Sequence, residues 1–250
     1  MSARGWSAGA TFVAALAAGA VYGQTAGADL GNPAPFGPPV DDRHIWVHGM
    51  LDQFEARAGG GDIGLRWDGE AWAGPDEWRV WLKSEGELTR GRVGDGQTEA
   101  FFGKPISTFF DVQVGGRYDL DSRPGRGWAA VGVEGLAPGF FKVAATAYAG
   151  DHGLAGKVKA SYDQLITNRL ILQPEAEVNL YSQDDPARAV GAGLSDLDAG
   201  VRLRYEITRK FAPYLGVTWE QKFGRTADLV RAAGEPSADV RLTLGVRAWF

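Results

Sequence analysis

From His44 to the last residue, Phe250, apolar and polar side chains alternate with a period of two, segment after segment. Successive side chains of an extended chain point to opposite faces, so each segment reads as a strand with one apolar and one charged face. In Glu77–Leu88, the residues Trp78, Val80, Leu82 and Leu88 oppose Glu77, Arg79, Lys83, Glu85 and Glu87. In Arg169–Tyr181, Leu170, Leu172, Ala176, Val178 and Leu180 oppose Arg169, Gln173, Glu175, Glu177 and Asn179. Asp198–Ile207 and Val240–Phe250 repeat the pattern, with Arg202, Arg204 and Glu206 on one charged face and Arg241, Thr243 and Arg247 on the other. The 36 glycines weaken helices, and the 9 tryptophans, 7 tyrosines and 12 phenylalanines suit a pleated surface. The fold is expected to be all-β.

Alternation alone fits both a soluble sandwich, with its apolar face in a core, and a membrane barrel, with its apolar face toward lipid. The connections separate them. About twelve strands are expected, an even number as in bacterial barrels. Counted from a periplasmic N-terminus, the even connections read short: Ala73–Asp76, Lys104–Ser107, Ala137–Gly139, Gln164–Asn168 and Arg209–Pro213. Most odd ones read longer: Thr89–Gln97, Asp121–Gly127, Ser182–Leu194 and Gly224–Ser237, with Gly150–Gly153 the short exception. A sandwich has no reason to sort its loops this way. The chain also ends on an amphipathic strand closing in Trp249-Phe250, which resembles the signal read by the outer-membrane assembly machinery. Trp67, Trp78, Trp128, Trp219, Tyr118, Tyr148 and Tyr162 near strand ends are expected to form interfacial girdles. The expected fold is a closed antiparallel transmembrane β-barrel over residues 44–250, embedded in outer-membrane lipid.

What precedes the strands reads as an address. Arg4, the small-residue apolar run Ala8–Val21 and Val21-Tyr22-Gly23 form a signal-peptide pattern over residues 1–23. That run is shorter than the ~20 residues a spanning helix needs. Residues 24–43, with Asn32-Pro33-Ala34-Pro35-Phe36-Gly37-Pro38-Pro39, read as a flexible periplasmic leader.

A net charge of -5 gives no basic surface for nucleic acid, and the absence of cysteine excludes disulfides, thiolate metal sites and a cysteine nucleophile. No GxSxG, HExxH or GxxxxGK pattern occurs, and His152 lies in a Gly-Asp-His-Gly turn with no serine presented to it. The chain is therefore read as having no enzymatic role.

His44, His48, Met50 and Asp52 share one strand parity, and Met50 is the one methionine besides Met1. Imidazole and thioether are good copper ligands, and thioether prefers Cu(I). Elsewhere the polar parity builds a charged lumen. Its carboxylates Glu85, Glu87, Glu175, Glu177, Glu206 and Glu220 mix with cations including Arg202 and Arg204. Such a lumen is expected to be narrow and bridged by ion pairs. Its carboxylates either stabilise the barrel or line a cation path.

Long ordered runs resemble the copper resistance protein B family. They include Met50-Leu51-Asp52-Gln53-Phe54-Glu55, Trp78–Glu87, Gly132–Pro138, Arg169–Glu175, Asp184-Asp185-Pro186, Gly193–Leu197, Arg202–Ile207, Phe211–Tyr214 and Trp219–Gly224. The resemblance implies an outer-membrane barrel that works with periplasmic copper-handling proteins in copper tolerance. Family members often carry a Met- and His-rich segment before the barrel, whereas residues 24–43 here contain neither. The copper-ligand candidates are then His44, His48, Met50, Asp52 and Glu55. The expected role is to bind copper and pass or sequester it at the outer membrane. The competing expectation is a passive structural barrel or a general small-solute pore.

Overall fold

The computed structural model describes residues 44–121 and 125–250, so the signal-peptide and leader readings lie outside the described residues. Twelve long strands and one two-residue strand make a single antiparallel sheet that closes on itself. In chain order they are β1 (Trp46–Gly59), β2 (Asp62–Gly74), β3 (Arg79–Thr89), β4 (Arg92–Pro105), β5 (Phe110–Asp119), β6 (Gly127–Ala137), β7 (Phe141–Gly150), β8 (Gly153–Ser161), β9 (Gln164–Leu165), β10 (Leu170–Tyr181), β11 (Gly193–Tyr205), β12 (Phe211–Lys222) and β13 (Ala238–Trp249). Neighbours in sequence pair throughout, and β13 returns to β1 with Met50 opposite Trp249 and Ala58 opposite Leu242. Phe250 extends the closure by donating its N–H to the Gly49 carbonyl at 2.8 Å. Among the described residues closure leaves no long edge strand unpaired, as a lipid environment requires of backbone polar groups. The short β9 continues the wall of β8 after an interruption opposite Pro174. Proline has no N–H to give the ladder, while its carbonyl accepts from Tyr162 N–H at 3.1 Å.

The barrel is apolar outside and charged within. Leu242 and Leu244 are each 68% exposed and Leu215 is 62% exposed, whereas Glu55 is 1%, Arg204 2% and Arg202 3% exposed. A water-soluble protein has no means of supporting that inversion; a membrane-spanning barrel requires it. The start of β1, the end of β13 and the short connections of residues 75–78, 106–109, 138–140, 162–169 and 206–210 lie at one end, the periplasmic one in this architecture.

The opposite end corrects two sequence expectations. Thr89–Gln97 is not a loop: β3 turns into β4 through Arg90-Gly91 alone, and Arg92–Gln97 belongs to β4. The tight turn places Arg90 at φ 52° and Gly91 at φ 74°, a left-handed pair that suits a two-residue hairpin. The glycines read as a loop, Gly94 and Gly96, instead serve a bulge between Glu85 and Glu87 of the facing strand. Between the described strands three outer connections are long: residues 120–126, 182–192 and 223–237. The last contains a helix, α1 (Gly224–Ala232), where only a loop was expected.

The aromatic girdle is also redrawn. Trp78, Tyr118 and Trp219 lie outside, at 38%, 52% and 42% exposure. Trp128 and Tyr148 turn inward and pack with Trp81, Phe101 and Ala130 into an interior cluster. They tolerate the lumen because each polar tip finds a carboxylate. Trp128 Nε1 donates to Asp119 at 2.9 Å, and the Tyr148 hydroxyl donates to Glu99 at 2.6 Å.

Candidate functional site in the lumen

The inner wall of β1 is set by one irregularity. Its pairing with β2 runs Leu51–Gly69 and then Gln53–Asp68, and its pairing with β13 shifts over the same stretch. Asp52 is the extra residue of a bulge, which reverses the parity that follows. Met50 and Asp52 therefore face the lumen from one side of the bulge, and Gln53, Glu55 and Arg57 from the other, at 1%, 1% and 3% exposure. Strict alternation would have sent Glu55 to the face opposite Asp52.

Met50 and Asp52 border a cavity of about 460 Å³ in the periplasmic half of the lumen, with Glu70, Lys83, Glu134 and Arg247 among its other walls. One cation joins the two β1 side chains. Arg247 Nη2 donates to Met50 Sδ at 3.2 Å, and Arg247 Nε stands 2.7 Å from Asp52 Oδ1. His48, nearer the rim, sits between the rings of Trp72 and Trp249, with centroids 5.7 and 5.8 Å away. His44 lies edge-on against Trp46 at 4.5 Å. Glu55 is engaged by two guanidiniums: Arg57 Nε reaches Oε1 at 2.8 Å and Arg202 Nε reaches Oε2 at 2.9 Å. Among the described residues no three His, Asp or Glu side chains converge as a metal cluster. The soft sulfur of Met50 is thus the distinguishing donor in this cavity. Sequence reading missed Arg247 as its partner, although Met50 and Arg247 occupy the closing strands at matching depth.

The remaining lumen candidates form bridges, several of which span the barrel between strands that are not neighbours. Lys157 of β8 pairs with Glu85 of β3, and with Glu177 at 3.6 Å. Lys159 reaches Asp68 of β2 at 2.5 Å. Glu175 of β10 accepts from Gln53 of β1 at 2.6 Å, and Arg57 reaches Asp198 of β11 at 2.9 Å. Glu87 of β3 accepts from Arg241 of β13 at 2.5 Å, and Glu220 holds Lys222 at 2.6 Å. Arg204 donates to Gln173 at 2.8 Å. Glu206 stands apart: it lies just past β11 and gives its backbone N–H to the Arg169 carbonyl at 2.8 Å. The lumen is therefore crossed at several levels by charged side chains.

The three long outer connections lean on one another over the other mouth. Arg188, 5% exposed, reaches Asp121 at 2.5 Å and Asp119 at 3.2 Å, while Arg126 answers Asp185 at 2.8 Å. Thr226 of α1 accepts the Gly191 N–H at 2.8 Å and contacts Ser195 at 3.1 Å.

A closed barrel with a lipid-like exterior, an ion-paired lumen, both strand termini at the short-turn end and a cap at the other defines an integral outer-membrane β-barrel protein. Two solved porin structures share this fold. The NanC porin matches with a TM-score of 0.51 at 13% identity, over 81% of this chain and 99% of that one. The KdgM porin matches with a TM-score of 0.50 at 11% identity, over 80% and 99%. Residues 45–250 match the family model described as copper resistance protein B precursor (CopB). A copper resistance protein B homolog of Pseudomonas syringae pv. tomato is 43% identical over 215 residues, covering 86% of this chain and 73% of the relative. Copper resistance protein B of Escherichia coli is 41% identical over the same lengths. The chain belongs to the copper resistance protein B family.

Proposed function

We propose that this barrel takes up copper ions at its periplasmic mouth, binds them through Met50 Sδ and the Asp52 carboxylate with His48 at the rim, and holds or hands them on within the lumen. The observation that carries this reading is the convergence of Met50 and Asp52 on one water-accessible cavity in a member of a copper resistance family. A thioether has little affinity for hard cations and a marked one for Cu(I), while a neighbouring carboxylate supplies the compensating charge. Periplasmic copper-handling proteins would deliver or accept the ion at the same mouth. The barrel assembly machinery would insert the chain through its terminal strand.

The passive-pore alternative fits the charged bridges less well. A general pore needs an open water column, whereas Lys157–Glu85, Arg57–Asp198 and Arg202–Glu55 run across the interior. Cu(I) titration of the refolded full chain, with a competing chelator, tests the proposal. Met50→Ala should weaken binding by about tenfold or more, and a deletion strain carrying it should lose copper tolerance. Equal affinity and tolerance in wild type and variant would overturn the proposal. Liposome swelling with sugars would favour the pore.

A further inference from the structure

The guanidinium of Arg247 lies where a copper ion bound by Met50 and Asp52 would lie. It touches the sulfur at 3.2 Å and the Asp52 oxygen at 2.7 Å, and so spans the two groups. Its hold on Asp52 is close but poorly aligned, for neither Asp52 Oδ1 nor Arg247 Nε has a hydrogen-bond partner of good geometry. The charge does not leave by deprotonation, because arginine stays protonated in proteins. Two cations within about 4 Å repel strongly in a partly desolvated lumen. Copper and the guanidinium therefore cannot share the position.

From this, and resting on the copper reading above, we infer that Arg247 is an exchangeable resident cation: it occupies the Met50–Asp52 site when empty, and copper binds by displacing it. The exchange keeps Asp52 compensated in both states, by the guanidinium when the site is empty and by copper when it is filled. No carboxylate is left uncompensated when copper departs. It also sets affinity, because every copper ion bound must break the Arg247 contacts, which lowers retention and favours release to an acceptor. The side chain has room to swing, since it borders the 460 Å³ cavity itself. It also biases the choice of ion. Displacement at a thioether is favourable for a soft cation that bonds sulfur better than an N–H donor does, and unfavourable for a hard one.

The test is a Cu(I) titration of the refolded full chain in detergent, with ascorbate and a chromophoric competitor, for wild type, Arg247→Gln, Met50→Ala and the double variant. Folding is checked for each by heat-modifiable gel migration. Arg247→Gln should bind Cu(I) about tenfold or more tightly than wild type, about 1.4 kcal/mol of guanidinium contacts no longer having to be broken on binding. The gain should vanish in the double variant. Unchanged or weaker binding in folded Arg247→Gln, with Met50→Ala still impaired, overturns the exchange and leaves the copper site standing. Met50→Ala binding like wild type overturns the copper site itself. A measurement on the unsubstituted barrel needs no variant to fold: in ¹⁵N-arginine-labelled protein the Arg247 Nε–H resonance should shift as Cu(I) saturates the site. A resonance that stays fixed through saturation overturns the exchange.

Discussion

Arg202 of β11 grips Glu55 of β1 with two hydrogen bonds, Nε to Oε2 at 2.9 Å and Nη2 to Oε1 at 3.0 Å, across two intervening strands. Arg57 adds a third at 2.8 Å. Such a bidentate bridge ties β11 to β1 from inside, across the seam that the β1–β13 backbone ladder closes along the wall. Removing Glu55 leaves two buried guanidiniums under-compensated, with Asp198 at 2.9 Å from Arg57 and Glu175 at 3.3 Å from Arg202 among their remaining partners, so the cost should approach that of a broken buried pair, about 3–5 kcal/mol. Glu55→Ala should therefore lower unfolding stability in detergent by that order, measured by denaturant titration of heat-modifiable migration. Replacing both residues with leucine should recover much of the loss. Because both Glu55 oxygens are already engaged by the Arg57 and Arg202 guanidiniums, Glu55→Ala should leave Cu(I) affinity within about threefold of wild type once folding is matched, against the 10–100-fold expected of a group that supports a metal.

The inversion of the barrel gives a second expectation. Leu244 lies between Leu215 of β12 and Ala56 of β1, near the middle of the wall, and is 68% exposed. If that surface meets acyl chains, Leu244→Arg should cost about 2–4 kcal/mol and depress assembly into membranes. The measurement is folding into lipid vesicles scored by gel shift. A barrel that tolerated the arginine without loss would remove the lipid-facing assignment.

Much of this architecture is legible from period two alone, because lipid and lumen demand opposite chemistries of alternate side chains. The exceptions have local causes. The bulge at Asp52 inverts parity without any glycine to announce it, so Glu55 reads as belonging to the wrong face until the register with β2 is known. Trp128 shares parity with the lumenal Glu134, and Tyr148 with Lys142, yet an aromatic near a strand end is read first as an interfacial anchor. What reverses the reading is a cross-strand partner, Asp119 or Glu99, that no single segment reveals. At the candidate site the sequence offers Met50, Asp52 and His48 as neighbours on one strand. Arg247, nearly two hundred residues later, joins them only through barrel closure.

His48 and Met50 should differ in their contribution. The imidazole is held between Trp72 and Trp249 at the rim, whereas the sulfur borders the cavity. Met50→Ala should lower Cu(I) affinity by about tenfold or more, as loss of a ligand or its support does. His48→Ala should have a smaller effect on affinity and a larger one on the rate of loading, since it stands at the mouth. Stopped-flow loading alongside equilibrium titration separates the two. Equal equilibrium losses in both variants would place the histidine in the binding shell instead.

The outer cap provides the last expectation. Among the described residues Arg188 ties the 182–192 connection to both Asp119 and Asp121, through a side chain that is 5% exposed. Arg188→Ala removes both contacts at once and strands Asp121, whereas Asp119 keeps Arg117 at 2.6 Å and Trp128 at 2.9 Å; Arg126–Asp185, Arg225–Asp184 and the Thr226–Gly191 bond are left to hold the three connections together. Local opening free energies track the number of such buried contacts. Hydrogen exchange across residues 182–192 should then accelerate markedly, with β1–β4 unchanged, and the loop should become a protease target in intact vesicles. The periplasmic cavity lies in the other half of the lumen, separated from the cap by the Lys157–Glu85 and Arg57–Asp198 bridges, so copper affinity should not move. A copper affinity that shifted together with loop exchange would mean that the two ends are coupled through those bridges.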